Sequence, residues 1–87
     1  MNAQNRKQLA AILEQLGAID IEGAAASVRE LAEGEREKYD NLSEGLQNAE
    51  RGQKMNDDAS MLEQAADSLD QALESLQSAI SDLEGVE

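Results

Sequence analysis

Residues 55–84 read MNDDASMLEQAADSLDQALESLQSAISDLE. Met55, Ala59, Leu62, Ala66, Leu69, Leu73, Leu76, Ile80 and Leu83 follow one another at spacings of four and three. That alternation is a heptad seam sustained over four repeats, and it specifies a helix that buries one stripe. With Leu62, Leu69, Leu76 and Leu83 at d, the residues Ala59, Ala66, Leu73 and Ile80 fall at a. Ala65, Ala72 and Ala79 fall at g. The apolar face is then wider than a two-stranded zipper needs, and small residues on one flank allow a second helix to come close. Leu69, Leu73 and Leu76 are expected at the centre of the core.

The rest of the composition agrees with helix. Proline, cysteine and histidine are absent, and there is one aromatic residue, Tyr39. Alanine, leucine, glutamate and glutamine dominate, and these are strong helix formers. Leu, Ile, Val and Phe make up 17 of 87 residues. That lies just under the roughly 20 % at which a highly charged chain is suspected of disorder, so patterning has to decide.

Upstream the pattern is less regular. Leu9, Ile12, Leu13, Leu16 and Ile19 make one stripe; Ile21, Ala24, Val28, Leu31, Tyr39 and Leu42 make another, rotated partway round. Gly17 and Gly23 sit at the change of phase. The expectation is one long helix over about 3–40, kinked or interrupted between those glycines, with two shorter helices as the alternative. A second helix over about 49–84 has matching length. Two striped helices of equal length joined by a polar segment at about 41–48 fold most simply as an antiparallel hairpin. The fold expected is therefore all-α: one helical domain over 1–87, a hairpin pairing with a second copy into a four-helix bundle dimer. A compact three-helix monomer is the alternative.

The connecting stretch YDNLSEGLQNAERGQ, residues 39–53, carries turn chemistry. Asp40, Asn41, Ser43 and Asn48 are candidate helix caps. Gly45 and Gly52 would permit positive φ. Leu42 and Leu46 are expected to tuck onto the end of the core. The functional alternative makes Tyr39, Gln47, Asn48, Glu50 and Arg51 a contact surface at the hairpin tip, because tyrosine and arginine are favoured interface anchors.

This stretch also carries a resemblance. Tyr39, Asp40, Asn41, Glu44, Leu46, Gln47, Glu50 and Arg51, followed by the acidic, alanine-rich heptads, resemble a segment of uncharacterised small acidic helical proteins of bacteriophages, prophages and bacteria. The likeness covers about 35–84. Relatives often carry proline where this chain has Ser43. The resemblance implies a helical fold and a phage-linked origin; a cytoplasmic location, in the bacterial host if the chain is phage-encoded, is the expectation from the polar N-terminus. The resemblance implies no activity. A likeness to secreted hairpins with Trp-x-Gly at the turn is architectural only, since that motif is missing.

Charge narrows the function classes. The net charge is −12, and every basic residue lies at or before Lys54. Residues 55–87 hold nine carboxylates and no cation. Direct binding to nucleic acid or to an anionic membrane is disfavoured, both being polyanions. No apolar run has spanning length, and MNAQNRKQLAAILEQLG is too polar for a signal peptide. Without His or Cys, zinc sites, thiol nucleophiles and the usual neutral-pH proton shuttle are missing. Asp57–Asp58 lacks the spaced oxygens of a calcium loop and reads as an acidic first turn, with Asn56 as its cap. No enzyme activity, metal or cofactor is expected.

Two functions remain. The first is a non-enzymatic protein–protein interaction module that self-associates. The second is an acidic mimic of nucleic acid, which would inhibit a host nucleic-acid-binding or defence protein through that protein's basic surface. Its acidic face would be Glu63, Asp67, Asp70, Glu74 and Asp82, expected on the solvated side without ion pairs from their own helix.

Overall fold

The protein is described here from a computed structural model, which describes residues 1–86. Four helices follow in order: α1 Ala3–Gly17, α2 Ile21–Asp40, α3 Glu44–Asn48 and α4 Glu50–Glu84. Among the described residues there is no strand. The molecule is a rod with principal extents of 68 × 15 × 14 Å. The 35 residues of α4 account for about 52 Å of that length at 1.5 Å per residue. Such a rod rules out the compact three-helix arrangement. The antiparallel pairing of α2 with α4 forms its body, while α1 touches α4 more sparingly.

The first long helix is broken at residues 18–20. Asp20 ends the gap as an N-cap, its carboxylate accepting from the Gly23 backbone N–H at 2.9 Å. A Cβ on Gly23 would sit 2.8 Å from that carboxyl carbon, so the glycine leaves room for the cap. The break has a packing reason. The half-buried positions of α1 are Leu9, Leu13 and Leu16, and the inward series of α2 begins at Ile21. From Leu16 to Ile21 is a step of five positions, which a regular four–three alternation does not contain. The interruption brings both stripes back toward α4.

The core differs from the expected one. Ala25, Ala32, Ala59 and Ala66 are the buried apolar residues, each at most 2 % exposed, and Gly52 is buried with them. Leu69, Leu73 and Leu76 face the partner helix but are only half-buried, so they flank the core instead of forming its centre. On α2 the inward series is Ile21, Ala25, Val28, Ala32, Glu35, Tyr39 and Leu42, again at four–three spacing. Ala24 and Leu31, expected on this stripe, are exposed. Alanines at seven-residue intervals on both helices let the backbones approach closely. The larger side chains at alternate positions are pushed to the edges of the contact and stay partly wet.

The chain reverses at the tip without positive φ, at glycine or any other described residue. Ser43 caps α3, accepting from the Leu46 N–H at 3.4 Å, while Asn41 lies at the C-terminal end of α2. Gly52 has a steric task, not the conformational one expected. A Cβ there would meet the carbonyl oxygens of Leu46 and Gln47, the latter at 2.8 Å, so α3 can fold down onto the first turn of α4 only over a glycine. Asn56 lies well inside α4 and is not its cap.

Candidate functional site

With the seam turned inward, the hairpin presents a tip and two flanks. At the tip, Tyr39 is half-buried, and its carbonyl accepts from the Gln47 side-chain amide at 3.0 Å. These two residues brace the turn internally. Asn48, Glu50 and Arg51 are exposed, and the Asn48 carbonyl accepts from the Gln53 side-chain amide at 3.3 Å. Leu42 is half-buried, but Leu46 is 56 % exposed instead of tucked away. Leu42, Leu46, Ala49, Arg51, Gly52 and Met55 line a small apolar hollow of about 290 Å³. The five tip residues therefore divide: two hold the fold together, and three remain on the surface.

One flank is charged and cross-braced. Arg29 donates to Asp70 at 3.4 Å and, through its other amine, more closely to the second Asp70 oxygen; Asp67 accepts at 3.5 Å. Two helical turns away, Arg36 reaches Glu63 at 3.2 Å, Ser60 at 3.3 Å and the Asn56 side-chain oxygen. Arg29 and Arg36 stand seven residues apart on α2, as Glu63 and Asp70 do on α4, so the same period repeats across the interface. The guanidinium of Arg29 is raised above its ordinary value, first by its hydrogen bond to Asp70. Desolvation opposes this, and the charges of Asp70 and then Asp67 add to it. Glu33, Glu37 and Asp40 join this flank around a groove of about 560 Å³.

The sequence expectation looked for cations only on the same helix. Glu63 and Asp67 stay exposed and Asp70 half-buried, and they find none there, but they pair with arginines from the other helix. Glu74 and Asp82 are exposed carboxylates of the same helix, farther toward its C-terminus. Sequence spacing within α4 could not show these pairs, because Arg29 and Asp70 are 41 residues apart.

The opposite flank is apolar and was missed. Leu31 is 60 % exposed and Met61 66 %. Together with Leu62, Glu35 and Asp58 they line an open groove of about 450 Å³. Ala65, Ala72 and Ala79, the g-position alanines, continue this side of α4 and are all exposed. The second helix came close along the a positions and left them outside. A signal was present: Met61, Ala65, Ser68, Ala72, Ser75 and Ala79 form a second, uncharged four–three series in the most acidic part of the chain.

Among the described residues, no group of three or more His, Cys, Asp or Glu side chains could hold a metal ion. No described helix is long and apolar enough to cross a membrane. No protein-family model, curated protein or solved structure matches this chain.

Proposed function

We propose that the chain is a small, non-enzymatic protein–protein interaction module that works as a homodimer, in keeping with the phage-linked proteins its 35–84 segment resembles. One observation carries this reading. Among the described residues, nothing larger than alanine is buried. A rod of two helices gives each leucine of the seam one neighbouring helix, whereas a packed core residue touches 6–12 others. Leu62, Leu69, Leu73, Leu76, Ile80 and Leu83 all remain half-buried on α4. Pairing two hairpins into a four-helix bundle supplies the missing neighbours, and a two-fold dimer is the commonest closed solution.

Size exclusion coupled to light scattering, at tens of micromolar protein and moderate salt, tests this. The expected mass is that of two chains. A mass of one chain across that range would refute the dimer. Association strengthens as salt rises, because each copy brings a charge of −12.

The acidic-mimic reading is the weaker one. Three of its five carboxylates are engaged by Arg29 and Arg36, which reduces the anionic field along 63–70. A pull-down from bacterial lysate at low and high salt separates the readings. A mimic captures basic nucleic-acid-binding proteins and releases them as salt rises.

A further inference from the structure

Resting on the reading of a self-associating module, we infer that the second copy seats on the apolar flank, with the groove between Leu31 and Met61 at the centre of a two-fold contact. The occupant follows from area and charge. A compact folded chain of 9.4 kDa exposes about 5,000 Å². This chain exposes 6480 Å². The surplus of about 1,500 Å² exceeds the roughly 800 Å² that each partner contributes to a standard interface. The surplus is therefore large enough for one standard interface with a further copy of the chain.

Charge selects the flank. The side of Arg29 and Arg36 carries Glu33, Asp40, Glu63 and Asp67 around its groove, a net negative surface. Two copies approaching there would set like charges together. On the opposite side the charges near the groove are Glu35 paired with Lys38 at 3.3 Å and Asp58 paired with Lys54 at 3.5 Å. These pairs cancel, and the α4 series from Met61 to Ala79 is uncharged. On a chain of charge −12, this is where a copy meets itself with little repulsion. A two-fold contact uses the same patch on both copies, so Leu31 and Met61 of each fill the groove of the other.

The test uses the full chain and two single substitutions, Leu31→Glu and Met61→Glu, with Glu74→Gln on the charged flank as the control. Both target side chains are mostly exposed within one chain, so the hairpin keeps its far-UV helix signal. Burying an unpaired carboxylate in the contact should weaken association at least about tenfold, so both variants run as single chains while the control stays dimeric. If the unaltered protein is a dimer and both variants remain dimers, the flank assignment is overturned while the interaction-module reading stands. If the unaltered protein is a single chain, that reading fails first. Should either glutamate variant lose helix signal, Leu31→Ser with Met61→Ser adds no charge and decides by the same mass measurement.

Discussion

α1 and α2 adjoin on one chain, and α1 has the larger apolar side chains. Leu9, Leu13 and Leu16 are half-buried, Ile12 is exposed, and α1 contains no buried residue. α2 buries Ala25 and Ala32 and sends Arg29 and Arg36 across to α4. Burial here follows the closeness of two backbones and not the size of the side chain. Alanine at seven-residue intervals meets alanine at the same interval and excludes water. The leucines of α1 meet α4 only sparingly, so each keeps part of its surface wet.

The comparison breaks most sharply at the alanines. Ala66 is 0 % exposed, and Ala66→Leu inserts a larger side chain where the backbones are closest. The expected cost is about 1–3 kcal/mol or somewhat more, read from chemical denaturation. A variant as stable as the parent would show that α2 and α4 are not closely apposed. Leu73 is next. Truncation of a fully buried leucine costs about 2–5 kcal/mol, but this one is half-buried, so Leu73→Ala should cost roughly 1–2 kcal/mol. A larger loss, growing with protein concentration, would mean that the dimer completes its burial.

Native-state hydrogen exchange compares the two regions directly. Amides of α1 should exchange at least about tenfold faster than those at the centre of α2, because opening α1 uncovers no buried residue. Equal protection would make α1 part of the same cooperative unit. The smallest effect belongs to the braces. Arg36→Ala removes bonds to Glu63, Ser60 and Asn56 at a part-exposed site and should cost about 0.2–1 kcal/mol, less at high salt. The raised Arg29 bears on pH. A group whose folded pKa is raised contributes stability that is complete below its unfolded pKa and lost as pH rises through the folded one. For an arginine both lie far above neutrality. The Arg29 contribution is therefore expected to be constant from pH 6 to 9, with the difference in melting temperature between the parent and Arg29→Gln unchanged over that range.

The tip adds a further contrast between expectation and outcome. Turn chemistry at Ser43 is local, and a serine three residues before the Leu46 N–H can be recognised as a cap from spacing alone. Gly52 is different. It lies seven residues before Ala59 and so extends the buried series, which is legible in the sequence. That it must be glycine comes from the α3 carbonyls above it, which no local pattern records.

Helix content, the seven-residue period of 55–84 and the place of the chain reversal were settled by the sequence alone, because propensity and period act between residues a few positions apart. Which stripe of the first half turns inward was settled only by tertiary structure. Leu31 and Ala32 are neighbours and each fits a helical stripe; hydrophobicity favours leucine, while the a-position alanines of α4 offer room only for alanine. The same holds for Glu63, Asp67 and Asp70, whose partners lie 27 to 41 residues away. A face is chosen by what it meets, and that is a property of two segments together.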